Sequence, residues 1–170
     1  MSHSLNIPHQ LTANVKWLHK VALIVDGSVL LLKRAAGAKS RPNCWDLPGG
    51  NLEWPTTSLP ASNLNLPEIS REVEEETSVQ IKPESFTLSS QLLLNSFFQP
   101  DQQIFTIISG WGLRLPVKPR VEISAEHTEY AWVNFSDLAN YDFDLTGDFV
   151  RLIAERALQS ADKLPLVDFK

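Results

Sequence analysis

A chain of 170 residues, 43% hydrophobic and 21% charged, can bury one substantial core and is read as a single globular domain over residues 1–170. Its 20 acidic and 15 basic residues give a formal net charge of −5, which argues against a protein that grips long nucleic acid, since that needs a basic face. No apolar stretch reaches the length of a membrane span, Met1 to Gln10 lacks the basic start and apolar core of a secretory leader, and the lone Cys44 forms no internal disulfide, so a reducing cytoplasm is the expected setting.

In chain order, Val21–Val25, Asp26-Gly27 and Ser28–Leu32 predict a hairpin, because Asp-Gly suits a two-residue turn whose central positions both take positive φ. The apolar runs on its arms are nearly unbroken, so both faces of these strands are expected to be covered. A turn at Trp45-Asp46-Leu47-Pro48-Gly49-Gly50 follows, and the stretch at about 54–66, rich in Pro, Ser, Thr and Asn, reads as loop. Asn65 caps a helix that Leu66-Pro67 opens, with Ile69, Val73 and Thr77 turned to the core at a spacing of four. Strands are predicted at Thr87–Phe98 and Ile104–Leu115, parted by Gln99–Gln102, and again at Tyr130–Phe135. Gly147–Gln159 reads as a closing amphipathic helix with Phe149, Leu152, Ile153 and Leu158 as core contacts. Together these elements make a mixed sheet with helices on its faces, an α+β fold.

The acidic run Arg71-Glu72-Val73-Glu74-Glu75-Glu76 carries the most information about function. On a helix, Glu72, Glu75 and Glu76 fall at i, i+3 and i+4 and project from one face, where they repel one another. A solvated face is the ordinary explanation of a Glu-rich run. Pro48-Gly49-Gly50 changes that weighing, because glycines can bring a freed backbone carbonyl close to the helix. Carboxylates and a carbonyl together form the oxygen donor set of a hard divalent cation.

These residues resemble the signature of the Nudix hydrolases, G-x5-E-x7-R-E-U-x-E-E-x-G-U, where U is a bulky apolar residue. Arg71, Glu72, Val73, Glu75, Glu76 and Val79 match its second half. The signature sets 13 residues between its first glycine and its arginine, whereas 20 lie between Gly50 and Arg71, an insertion of 7 that falls in the loop at about 54–66. The signature's first glutamate has no counterpart in register: the count reaches Thr56 from one side and Asn63 from the other, with Glu53 and Glu68 nearby. Its late glycine is Ser78 here. Leu30 to Ala36, leading into Trp45 to Gly50, is similar to the same segment of mutator-type nucleoside triphosphate pyrophosphatases, and Glu126 to Val133 resembles the family's second acidic segment. The likeness runs from about Lys20 to Leu138.

The resemblance implies a Nudix fold, a mixed β-sheet sandwiched between helices (α/β/α sandwich), and Mg2+-dependent hydrolysis of a diphosphate linkage in a nucleoside diphosphate derivative. A (deoxy)nucleoside triphosphate, cleaved to monophosphate and pyrophosphate, is the favoured substrate. Glu72, Glu75 and Glu76 are then the metal ligands, with Mn2+ able to stand in for Mg2+, and the Gly49 carbonyl and Glu126 complete the shell. Glu126 is also the first candidate for general base, with Glu129 behind it. Arg71 is expected to orient the glutamates. Arg34, at a strand end, is a candidate to grip a terminal phosphate, and Glu53 joins it as a substrate contact. His127 is assigned surface or structural duty rather than base chemistry.

Trp54, Phe97, Phe98, Trp111, Tyr141 and Phe143 could platform a base whose edge Asp142 or Asp144 reads. Cys44 is taken as a small packed residue, not a nucleophile. The partner expected is a small nucleotide; no nucleic acid or membrane partner is called for, and self-association as a homodimer is left open. Two competing readings are a Nudix-like module that senses a nucleotide without cleaving it and an isomerase of isoprenoid diphosphates on the same fold. The first draws on the missing glutamate and Ser78, and the second is disfavoured by the position of Cys44. No G-x-x-x-x-G-K-[ST] occurs, which excludes a P-loop nucleotide binder.

Overall fold

The computed structural model describes residues 14–53 and 65–170. Strands β1 (Val15–Val25) and β2 (Ser28–Arg34) form the expected hairpin, with Asp26 at φ 47° and Gly27 at φ 71° in its turn, the conformation a two-residue connection requires. β1 starts well before Val21 because its whole length pairs in parallel with β5 (Ile104–Arg114), from Val15 opposite Phe105 to Ile24 opposite Arg114. β4 (Gln91–Gln99) runs antiparallel on the outer edge of β5, and β6 (His127–Asn134) runs antiparallel along all of β2. β4 opens at Gln91 rather than Thr87, since Thr87 N–H donates to Ser90 Oγ at 2.9 Å and curls those residues into a short 3-10 turn.

The hairpin arms do not stay together. β1 and β2 pair only beside the turn, at Ile24–Val29 and Val25–Ser28. Beyond it they splay, and the segment Trp45–Leu52 enters between them. Its first part, β3 (Trp45–Asp46), pairs with Leu32 and Lys33 of β2. Its second part lies along β1: Val21 N–H donates to Pro48 O at 2.8 Å, His19 N–H to Gly50 O at 2.9 Å, and Leu52 N–H to Trp17 O at 2.7 Å. The two glycines are thereby placed in the middle of the sheet, hydrogen-bonded like a strand.

Helices cover both faces, as the unbroken apolar runs predict. Val21, Leu23, Val25, Leu30 and Leu32 pack with Ile69 and Val73 of α1 (Asn65–Thr77). The alternating residues Ala22, Ile24, Val29 and Leu31 pack with Val150, Ile153, Ala154 and Ala157 of α2 (Asp148–Gln159). Thr77 is buried as expected. Leu152 is not: it lies exposed, because the face of α2 set against the sheet is drawn by small residues, Ala154 and Ala157, and Leu152 falls beside it. Phe149 and Leu158 pack at the margin of that core.

Ser78 ends α1 in the left-handed conformation, φ 60°, with its N–H donating to Glu74 O at 2.7 Å. A non-glycine residue there costs on the order of 1 kcal/mol. Asn65 and Leu66 already belong to α1, and the rest of the inserted stretch, with Trp54, Thr56 and Asn63, falls outside the described residues. No helix among the described residues is long and apolar enough to cross a membrane.

Candidate functional site

The segment Trp45–Leu52 and α1 meet over a cavity of about 560 Å³, a size suited to a small molecule. Its lining includes Glu53, Glu72, Glu76 and Glu126 with Gly49 and Gly50, together with Lys20, Arg34 and Arg41. Two glycines make the close approach of helix and sheet workable. Gly49 has φ +126°, and a Cβ there would strike the His19 carbonyl oxygen; a Cβ on Gly50 would land on the Glu72 carboxylate. Gly50→Ala is therefore expected to push Glu72 out of position and, on the metal-holding role proposed below for Glu72, to cut metal affinity roughly 10- to 100-fold, the usual cost of disturbing a ligand's support. Titration of Mn2+ into the variant checks this, and wild-type affinity would show that Glu72 does not need this space.

Glu76 is buried and accepts one hydrogen bond, from Gly49 N–H to Oε2 at 2.7 Å. Burial, only partly offset by Lys20 and by the Gly49 N–H, raises its carboxyl to about 7. Its Oε1 lies 3.9 Å from Nε2 of His127. That ring is itself buried and, for that reason first, titrates at about 4, so it is a neutral neighbour. His127 is thus buried and not at the surface. Glu72 is half-buried, and burial raises its carboxyl too, against the pull of Arg71. Two carboxylates whose charge is disfavoured by their surroundings, on one helix face and beside a carbonyl-bearing glycine turn, have the donor chemistry of a hard cation site.

The remaining expected ligands are arranged differently. Glu75 does not line the cavity; its carboxylate is largely exposed and bonded to Arg71 Nη1 at 2.7 Å. Gly49 O already accepts from Lys20 Nζ at 2.6 Å, one of the two lone pairs a carbonyl offers. Among the described residues no cluster of three or more His, Cys, Asp or Glu side chains is assembled in a metal-holding arrangement. Arg71 binds three carboxylates at once: Glu72 at 2.5 Å, Glu75 at 2.7 Å and Glu68 at 2.8 Å. This is the geometry of a residue that orients glutamates. Glu68, out of register for the signature, has its place in this fan, and Glu53 sits on the cavity wall.

Glu126 lines the cavity with an exposed side chain, and its carbonyl is tied to Ala35 N–H at 2.8 Å. Glu129 instead pairs with Lys33 at 2.7 Å on the outer surface. Phe97 lines the cavity, whereas Trp111 and Phe143 are core residues and Tyr141 packs edge-on against Trp45. Asp142 and Asp144 lie outside the cavity lining: Asp142 Oδ1 accepts from Asp144 N–H at 2.8 Å, and Asp144 accepts from Leu145 N–H at 2.6 Å. Cys44 is buried, and burial, joined by Asp142 and Asp144, pushes its thiol up, the wrong direction for a nucleophile.

Sequence reasoning missed Lys20, Arg41 and the part played by Asp46. Asp46 is fully buried and meets Lys20 Nζ at 3.1 Å, Arg34 Nη1 at 3.2 Å and Arg41 Nη2 at 2.5 Å. Burial alone would raise its carboxyl, but these cations outweigh it and hold the group below the ordinary carboxylate range. A usable signal was present: a lone lysine at the start of a fully apolar strand is costly to bury without a carboxylate partner.

The NUDIX domain family model matches residues 19–152. The fold is shared with the MutT protein of Methanosarcina mazei Go1, 23% identical at TM-score 0.59 over 86% of this chain and 94% of that one. It is shared with a MutT NUDIX hydrolase from Burkholderia pseudomallei, 18% identical at TM-score 0.59 over 84% and 98%. The NUDIX domain of Shewanella oneidensis NrtR, solved with ADP ribose, is 16% identical at TM-score 0.58 over 87% and 88%. No curated protein matches the sequence.

Proposed function

This chain belongs to the Nudix hydrolase family, whose members act on nucleoside diphosphate derivatives, and from that premise we propose that it cleaves nucleoside triphosphates to monophosphate and pyrophosphate with Mg2+. The observation that carries this reading is the convergence of Glu72 and Glu76 on Gly49 and Gly50 inside a cavity that also presents Arg34. Glu72, Glu76 and Glu75 would hold the metal, Glu75 after turning from Arg71, with Glu126 and the free lone pair of Gly49 O within the same shell. The ion supplies charge neutralisation for a linkage shielded by its own oxygens.

The chain's residues do the rest. Glu126 takes the proton of the attacking water as the new P–O bond forms and the bridging P–O bond between the α- and β-phosphoryl groups breaks; the leaving group, pyrophosphate for attack at the α-phosphorus or nucleoside monophosphate for attack at the β-phosphorus, departs with that bond's electrons. Arg71 keeps Glu72 oriented from a guanidinium that it shares with Glu68. Arg34, anchored on Asp46 and on Ser40 O at 2.9 Å, faces the substrate's phosphates. Glu53, on the same wall, is a substrate contact.

The test is to incubate the protein with nucleotides, ADP-ribose and dinucleoside polyphosphates, with and without Mg2+, and to assay phosphate and pyrophosphate. Turnover that requires the metal is expected, and Glu75→Gln should lower kcat at least about a hundredfold, as loss of a group that orients reactants does. Tight nucleotide binding with no product under any condition would instead make this a sensing module.

A further inference from the structure

Three cations of the cavity wall converge on a single carboxylate, Asp46. Asp46 Oδ2 receives Lys20, Arg34 and Arg41, while its Oδ1 accepts from Leu47 N–H at 2.8 Å. Lys20 also stands beside Glu76 and Glu72, whose carboxylates it favours. Lys20 gives its other hydrogens to Leu47 O at 3.0 Å and Gly49 O at 2.6 Å, and Arg34 Nε is bonded to Ser40 O.

Arg41 differs from both. Its side chain is only 9% exposed, yet its Nη1 is buried with no hydrogen-bond partner among the described residues. The guanidinium lies 5.5 Å from the centre of the Phe149 ring, and Nη1 faces Gly147, where an added Cβ would sit 2.8 Å away. Arg41, Thr146 and Phe149 all line the cavity. A buried guanidinium N–H left without an acceptor is destabilising. This N–H is a donor without an acceptor among the described residues, and the charge of the guanidinium favours an anionic one. Phosphoryl oxygens match a guanidinium fork in shape and charge.

We propose that Arg41, backed by Arg34, is the receptor for the terminal phosphoryl group of a polyphosphate chain, and so sets a preference for nucleoside triphosphates over diphosphate-linked sugars. This deepens the cleavage reading above and rests on it. Arg41 then decides which diphosphate derivatives enter, while Glu72 and Glu76 act on the linkage.

Two measurements on the full chain test it. The first is calorimetric titration of inorganic tripolyphosphate in chelator, where wild type should bind and Arg41→Met should bind at least tenfold more weakly. The second is steady-state kinetics with Mg2+, where Arg41→Met should raise KM for nucleoside triphosphates at least tenfold more than KM for ADP-ribose, with less change in kcat. Since Arg41→Met also loosens Asp46, Gly147→Ala serves as a companion: its φ is −100°, its methyl crowds Nη1, and the pair with Asp46 is kept. It should shift both readouts in the same direction.

Tripolyphosphate binding that ignores both variants, or equal KM changes for the two substrate classes, would overturn the receptor while leaving the cleavage reading intact. Conversely, an inert wild type whose tripolyphosphate binding depends on Arg41 would overturn cleavage and keep the receptor.

Discussion

Glu76→Gln is expected to lower turnover at least about a hundredfold while making the metal-free protein more stable above neutral pH. The first effect follows from the site proposed for this carboxylate, because a neutral amide cannot supply the anionic oxygen that a hard cation requires. The second follows from linkage. Burial raises the folded-state carboxyl to about 7 from its ordinary value of 4.5, so the unfolded chain gives up this proton first. Stability associated with the protonated group is complete below about pH 4.5 and drains away as pH rises through about 7.

With a shift of that size the loss is of the order of 3 kcal/mol. Glutamine keeps the shape and the bond from Gly49 N–H without paying it, so in chelator at about pH 8 the variant should melt higher than wild type, and the gain should vanish near pH 4.5. In wild type, the same proton competes with the metal, and affinity for Mn2+ should fall as pH drops below about 7. A variant that turns over normally, or that is less stable than wild type in chelator, would contradict the role given to Glu76.

Asp46→Asn is expected to destabilise the fold by about 3–5 kcal/mol, the cost of leaving buried charges without their partner. Asparagine is close in size to the native side chain, so packing changes little and the loss is electrostatic. Lys20 and Arg41 are 3% and 9% exposed and Arg34 is 17% exposed, so water replaces little of what the carboxylate supplies. Since a domain's whole stability is about 5–15 kcal/mol, this single change removes a large part of it, and urea unfolding at neutral pH measures the effect. The pH sign is opposite to that of Glu76: the folded-state carboxyl of Asp46 lies below its ordinary value of 3.8, so its contribution is present above about that pH and is lost on acidification. A change of under about 1 kcal/mol would mean that the three cations find other company.

What could be read ahead of the structure was what local pattern encodes. Asp26-Gly27 gave away the hairpin turn, the unbroken run Val21–Val25 the two covered faces, and the spacing of Ile69, Val73 and Thr77 the buried stripe of α1. The glutamates of that helix were visible for the same reason, since the helical period alone puts them on one side. Leu152 was misjudged because bulk was taken for burial, when the contact face of α2 is built from Ala154 and Ala157. Lys20, Arg41 and the part of Asp46 escaped, although Arg34 was visible, because the four come from three separated segments and no period joins them; only the entry of Trp45–Leu52 between the splayed arms brings them to one oxygen. The unequal standing of Glu72 and Glu75, one turned inward and the other held by Arg71, also depends on side-chain directions that spacing does not contain.

The placement of Pro48–Leu52 has a consequence for how this protein can fail. A site carried on a surface loop can drift open while the body beneath it stays whole. Here the turn that presents Gly49 and Gly50 is stitched into the main-chain ladder of β1, so it has no hinge of its own. Damage to the sheet and damage to the chemistry become one event, and a molecule that is folded at its centre keeps its glycine turn in working order.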